Sequence, residues 1–240
     1  ELPLYGHVPM ILGPDGEKLS KRHGAVSVLD YEEAGYLPEA MLNYLARLGW
    51  SHGDDELFDR QQLVQWFDGE HLAKSPAQWD AAKLNWVNAH YLKALPDATL
   101  ARMVETQLGK LGVERTDERL QGICVLFKDR CDTTLALAKW AAVFYGEVQP
   151  SAEELAQHVT PAVLPALQLL AEKLGTVAWH KASIALAIKE VLAACGLKMP
   201  QLAMAVRVLV LGNSHTPSLD AVLALCRRET VLQRLGVARV

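Results

Sequence analysis

The chain has 240 residues, half of them hydrophobic and 22% charged, with a formal net charge of −4. That is length enough for a sizeable core and the composition of a soluble globular protein, and the acidic balance speaks against a generic nucleic-acid binder. The charge is unevenly spread: residues 181–240 hold eight Lys or Arg against three acids, which is compatible with one anion-binding face on an acidic body.

The chain opens Glu1-Leu2-Pro3-Leu4, without a methionine and in strand-like and loop-like sequence. We read this as a piece of a longer protein. Gly13-Pro14-Asp15-Gly16 is a turn, and Lys18-Leu19-Ser20-Lys21-Arg22-His23-Gly24 follows it with three cations, a hydroxyl and a closing glycine. Such a loop can follow the oxygens of a polyphosphate, or be a solvated basic turn. It lacks the GxxxxGK[ST] spacing of a Walker A loop. Beyond Asp30 the pattern is helical nearly throughout. Pro38 opens a helix whose apolar residues Ala40, Met41, Tyr44, Leu45 and Leu48 recur at helical spacing up to Gly49. Further helices are expected over about 59–67, 76–92 and from Pro96-Asp97 to Gly109 or Gly112. Thr116-Asp117 caps one through Phe127, and Asp132-Thr133-Thr134 another through Phe144. The remaining helices fall at about 151–158, 161–174, 181–195, 200–211, 218–226 and 229–235. The fold class is all-α, with a small irregular N-terminal piece.

No catalytic machinery stands out by residue type. Asp54-Asp55 and Glu153-Glu154 sit where acids stabilise loops and first helical turns. His7, His23, His52, His71, His90, His158, His180 and His215 are scattered without metal-ligand spacing, so no metal site is expected. Cys124, Cys131, Cys195 and Cys226 form no CxxC pair and read as buried free thiols of a reducing compartment. Trp50, Trp66, Trp79 and Trp86 read as core. With no long apolar run and no signal peptide, the expected place is the cytoplasm.

The stretches KLSKRHGAVSV and DYEEAGYLPEAMLNYLARLGWS, then LFDRQQLVQWF, SPAQWDAAKLNWVNAHYL and RVLVLGNSHTPSLDAVLAL, resemble in the same order the bacterial glutamyl-tRNA synthetases, a family of class I aminoacyl-tRNA synthetases. The likeness runs over essentially the whole chain, and KLSKR is the family's version of the KMSKS signature. It implies a parent enzyme that attaches L-glutamate to tRNA(Glu) using ATP with magnesium, whose HIGH-motif domain lies upstream. The fragment alone is expected to bind tRNA, hold no cofactor and catalyse nothing.

By the same resemblance, Lys18, Ser20, Lys21 and Arg22 form the catalytic loop, with Lys21 the ATP-phosphate ligand. Arg130 reads the last anticodon base, Arg207, Thr216, Pro217 and Leu219 surround the other anticodon bases, and Lys83 and Trp86 lie near the tRNA stem, Trp86 half core and half contact. Ser218 can serve as a helix cap at the same turn. Leu211-Gly212 departs from the threonine-glycine of many relatives. Residues 1–72 are expected to be the KMSKS loop and stem-contact segment, and 73–240 an anticodon-binding domain of two helical subdomains meeting near 145–150. A monomer with no membrane contact follows. The competing readings are a free-standing helical adaptor with an incidental basic loop, and glutaminyl-tRNA synthetase, whose β-barrel anticodon domains conflict with the scarcity of strands. The queuosine-glutamylating paralogue lacks the helical C-terminal region.

Overall fold

A computed structural model describes residues 2–3, 5, 8–24 and 27–236. Of the sequence features named above, Glu1, Leu4, His7, Ala25 and Val26 lie outside the described residues. Among those described the protein is all-α, with thirteen α-helices and a single two-stranded parallel sheet. No helix among the described residues is long and apolar enough to cross a membrane. Two compact units can be told apart, residues 1–107 with 128–138, and residues 108–127 with 139–240.

In the first unit, β1 (Ile11–Leu12) pairs with β2 (Ala77–Gln78). The helices are α1 (Val28–Glu33), α2 (Pro38–Arg47), α3 (Arg60–Trp66), α4 (Ala81–Ala94) and most of α5 (Asp97–Lys110). α2 starts as expected, with proline in the first turn and its apolar stripe buried at Ala40, Met41 and Tyr44. α3 has a capping box between Asp59 and Gln62. One boundary and one further element differ from expectation. Residues 76–80 are not helical: Ala77 N–H donates to Met10 O and Trp79 N–H to Leu12 O, so the backbone is taken into the sheet. Asp80 then caps α4 by accepting from Lys83 N–H. α1, too short to show a period, is capped by Ser27. Tyr31, Tyr36 and Trp79 pack over Met41, Tyr44 and Leu84, with Tyr44 and Trp79 edge to face at 4.9 Å.

Buried asparagines tie these helices together. Asn88, 0% exposed on α4, accepts from Leu37 N–H at 2.8 Å ahead of α2 and donates to Asp132 O. Asn43, on α2, accepts from Phe58 N–H and donates to Glu56 O, fixing the chain before α3. Gly35, at φ +86°, turns the chain between α1 and α2 and offers its carbonyl to both Thr134 N–H and Thr134 Oγ1.

The second unit holds α6 (Arg119–Phe127), α8 (Ala152–His158), α9 (Leu164–Thr176), α10 (Lys181–Cys195), α11 (Met199–Leu211), α12 (Leu219–Leu225) and α13 (Arg228–Gly236). α7 (Thr134–Ala142) runs between the two units' segments. α11 is the central helix: from Leu202 to Leu211 every residue is buried except Met204 and Arg207. Gly212 ends it at φ +69° in the left-handed conformation. Arg234 of α13 donates to Val143 O, Gly146 O and Val210 O, satisfying carbonyls at the ends of α7 and α11. Among the described residues no disulfide forms; Cys124, Cys131 and Cys226 are buried, as expected, and Cys195 is partly exposed.

Asp117 is the strongest ionic point of this unit. Its carboxylate accepts from Arg119 Nε and Nη2, from Arg227 Nη2 at 3.0 Å and from Tyr145 Oη. Hydrogen bonds from Arg119 hold its pKa down to about 2. A depressed carboxylate pKa stabilises the fold above its unfolded value of 3.8 and ceases to as pH falls toward about 2. Asp117→Asn should therefore cost about 2 kcal/mol near neutrality, and its deficit against the unaltered chain in denaturant titrations should close between pH 3.8 and about 2. A pH-independent deficit contradicts this account. At Gly35 an added Cβ would run into the Leu135 backbone nitrogen and sit at a strained φ. Gly35→Ala should then cost ~3 kcal/mol or more; a loss under ~1 kcal/mol in the same titration would show that the close approach is not needed.

Candidate nucleic-acid interface

The basic loop is the end of a hairpin. Lys18 faces Leu12 in an antiparallel bridge, Leu19 N–H donates to Ile11 O at 2.9 Å, and Gly13 N–H to Glu17 O at 2.7 Å. Gln78 on β2 donates to Pro14 O, tethering the turn from the side. Lys21–His23 then form one 3-10 turn with Ser20 at its N-cap, closed by Gly24 at φ +106°. Lys18, Lys21 and Arg22 are exposed and Ser20 is half-buried. Arg22 is tied to Asp15 at 3.2 Å, whereas Lys18 and Lys21 make no side-chain hydrogen bond or ion pair among the described residues. Two ammonium groups are therefore displayed on an ordered turn. His23, named above only among the scattered histidines and as part of the loop, lies against that turn with its side chain 7% exposed.

Lys83 and Trp86 project from the first half of α4. Lys83 Nζ pairs with Glu56 and sits 4.1 Å from the Trp86 ring centroid, a cation–π contact. The hydrogen bond from Lys83 lowers the pKa of Glu56. Trp86 is 47% exposed, half inside the core and half open. Its outer face is open because α4 buries Leu84, Val87, Asn88 and Leu92 instead.

Arg130 ends the 3-10 turn Lys128–Arg130. Lys128 Nζ pairs with Asp97 Oδ1 at 2.9 Å on one side of it, and Asn88 holds Asp132 O on the other. Between these anchors the Arg130 side chain is exposed, with no hydrogen bond or ion pair among the described residues.

Arg207, Thr216, Pro217 and Leu219 come together in the second unit. Arg207 Nη2 donates to Pro217 O at 3.1 Å, bridging α11 to the loop ahead of α12. Thr216 is 7% exposed and its hydroxyl donates to the same carbonyl, so its side chain is occupied within the protein. Leu219 is 5% exposed. Ser218 makes no side-chain capping bond, against the suggestion that it caps α12. The loop is braced by Ser214, whose N–H and hydroxyl both donate to Glu154 Oε1 of α8.

Beside Arg207 opens a cavity of about 530 Å³ between α10, α11 and α12. Ala185, Ile188, Met199, Ala203 and Met204 make it mainly apolar, and Lys189, Arg207 and Asp220 stand at its edges. It follows the one stripe of α11 that the core leaves uncovered. A mostly apolar slot with cations at the margin accepts a flat, polar-edged ring better than a metal or a charged small molecule. Among the described residues no group of three His, Cys, Asp or Glu side chains is placed to hold a metal.

Residues 99–239 match the family described as anticodon binding domain, and residues 1–86 match the catalytic domain of class I tRNA synthetases for Glu and Gln. The chain is 61% identical to a glutamate–tRNA ligase of Albidiferax ferrireducens and 60% identical to one of Paracidovorax citrulli. These alignments cover 98% and 99% of the chain, which spans about half the length of the curated relatives it matches. A solved glutamate tRNA ligase from Elizabethkingia meningosepticum superposes with a TM-score of 0.85 at 25% identity, over 99% of this chain and 51% of that one. The chain belongs to the anticodon-binding-domain family, in the form similar along its length to bacterial glutamate–tRNA ligases.

Proposed function

We propose that the chain is the anticodon-reading, tRNA(Glu)-binding part of a glutamate–tRNA ligase, joined to the phosphate-handling loop of that enzyme's catalytic centre. The observation that carries this reading is the pairing of Arg207 with a mostly apolar cavity. Unstacked bases are held by apolar faces and read by donors at their edges. Met204, Ile188 and Leu219 supply the former, and the Arg207 guanidinium, fixed by Pro217 O, supplies the latter.

Arg130 acts as the discriminating residue for the third anticodon base. Glutamate anticodons end in cytosine and glutamine anticodons in guanine. A guanidinium donates to the acceptors of the cytosine edge, whereas the guanine edge presents donors of its own. The mismatch should cost ~1–3 kcal/mol. The anchors on both sides of the turn support this role, since discrimination needs a donor whose position is set beforehand. Lys83 and Trp86 offer a cation and an exposed ring face to the tRNA stem.

At the other end of the chain, Lys18 and Lys21 fit the phosphates of ATP, because neither ammonium has a partner to give up among the described residues. ATP, carried with magnesium, supplies pyrophosphate as the leaving group for activating glutamate. Lys21 stabilises negative charge as it gathers on the departing oxygens, which lowers the barrier more than it tightens the ground state. Ser20 and the backbone of the 3-10 turn hold Lys21 in place. The protein acts in the cytoplasm as a monomer; the buried thiols of Cys131 and Cys226, in no disulfide among the described residues, accord with a reducing compartment.

Anisotropy of labelled tRNA tests this directly. The chain should prefer tRNA(Glu) over an unrelated structured RNA, with affinity falling on a clear negative slope as salt rises. Equal binding of both RNAs overturns the reading and favours the adaptor. Arg130→Gln should weaken binding of tRNA ending its anticodon in cytosine by ~10-fold or more, with little change for the guanine variant. Equal losses for the two remove Arg130 from base reading.

A further inference from the structure

The His23 ring is the most enclosed polar group of the basic loop. Its Nδ1 lies 3.0 Å from Ser20 N and 3.3 Å from Ser20 Oγ, and its Nε2 lies 3.0 Å from both oxygens of Asp15. A backbone N–H can only donate, so Nδ1 must accept and carry no proton. Nε2 then carries the proton and donates it to the Asp15 carboxylate. Arg22 Nε also approaches Nε2, at 3.4 Å. Accepting there would move the ring proton to Nδ1, against Ser20 N–H, and the shorter distances decide for Asp15.

The ring thereby closes a capping box. Ser20 is the N-cap of the Lys21–His23 turn, and His23 takes the third-position role usually given to Glu or Gln. Room for it exists because residue 13 is glycine: a Cβ there would stand 2.7 Å from the ring. Asp15 belongs to the preceding turn, held by Glu17 N–H on its own carboxylate. The charged groups around the ring are Asp15 and Arg22, and Gln78 is the polar neighbour reaching the turn from β2.

We propose that His23, as its Nε2–H tautomer, is the positioning residue of this loop, clamping Ser20 to the Asp15 turn so that Lys21 is presented to phosphate oxygens with its ammonium free. This rests on the reading of Lys18–Arg22 as a phosphate loop. His23 touches no phosphate itself and acts through Ser20 and Lys21. Without the clamp the backbone of residues 20–22 samples many conformers, and most of them carry Lys21 elsewhere.

Two-bond proton–nitrogen correlation spectra of the imidazole rings, recorded on this chain at neutral pH, read the tautomer. His23 should show a protonated Nε2 and an unprotonated Nδ1. A ring averaging between tautomers, or protonated at Nδ1, overturns the proposal. Titration with inorganic tripolyphosphate, followed at the Lys21 amide, then reads the consequence. His23→Ala should weaken the apparent affinity ~5-fold or more, and His23→Gln, which restores the acceptor for Ser20 N–H, should recover most of it. Equal affinity for the unaltered chain and His23→Ala also overturns the proposal. A correct tautomer with a Lys21 amide that ignores tripolyphosphate in the unaltered chain overturns the phosphate reading of the loop, so the two failures are told apart.

Discussion

The first unit depends on one buried side chain. Asn88 sits on α4 with no exposed surface, and its amide joins Leu37 N–H to Asp132 O. Leaving either group unpaired in that interior would cost ~1–3 kcal/mol, so the start of α2 and the chain after Arg130 are held to one point on α4. Gly35 and Thr134 make the second tie beside it. α4 also carries Lys83 and Trp86 on its open side. One helix therefore sets the placement of three of the residues proposed to meet RNA, and the Lys128–Asp97 pair completes the support around Arg130.

The second unit reaches a similar end by different physics. α11 is enclosed almost all round, so its position is set by packing rather than by hydrogen bonds. What the core does not cover becomes the wall of the cavity, and Arg207 stands on that stripe. Arg234 holds the end of the same helix through Val210 O, and Gly212 turns the chain away in a conformation that only a residue without Cβ adopts freely. Arg207, the side chain proposed to read a base, is thus mounted on the most enclosed helix of the unit. A donor held in advance loses less entropy on binding than one that must be ordered by its ligand.

Much of this was legible in the sequence. Pro38, Asp59 and Ser151 mark helix starts through local capping chemistry, and the apolar period of α2 and α10 is unambiguous. The basic loop and the Arg207–Leu219 region were readable as motifs. The two-residue strand at Ala77–Gln78 was not, because so short a segment has no period and is defined by its partner far away in the chain. Asn88 was invisible for the same reason: a polar residue on a helix is ordinarily read as solvent-facing, and only its distant partners reveal otherwise. The cavity is made by three helices, each with an unremarkable pattern. Arg22 and His23 show the limit most clearly, since neither the ion pair with Asp15 nor the tautomer of the ring is encoded in spacing.

The central claim is that two pre-set surfaces, the Arg130 turn and the Arg207 cavity, meet an anticodon loop. Amide shift mapping of this chain with an isolated anticodon stem-loop of tRNA(Glu) tests it most directly. The account predicts perturbations concentrated at residues 128–132 and around the cavity lining from Met199 to Asp220, with the buried face of α9 unmoved. Perturbations confined to the exposed apolar residues Val64 and Phe67 of the α3 region, or none at saturating RNA, would contradict it.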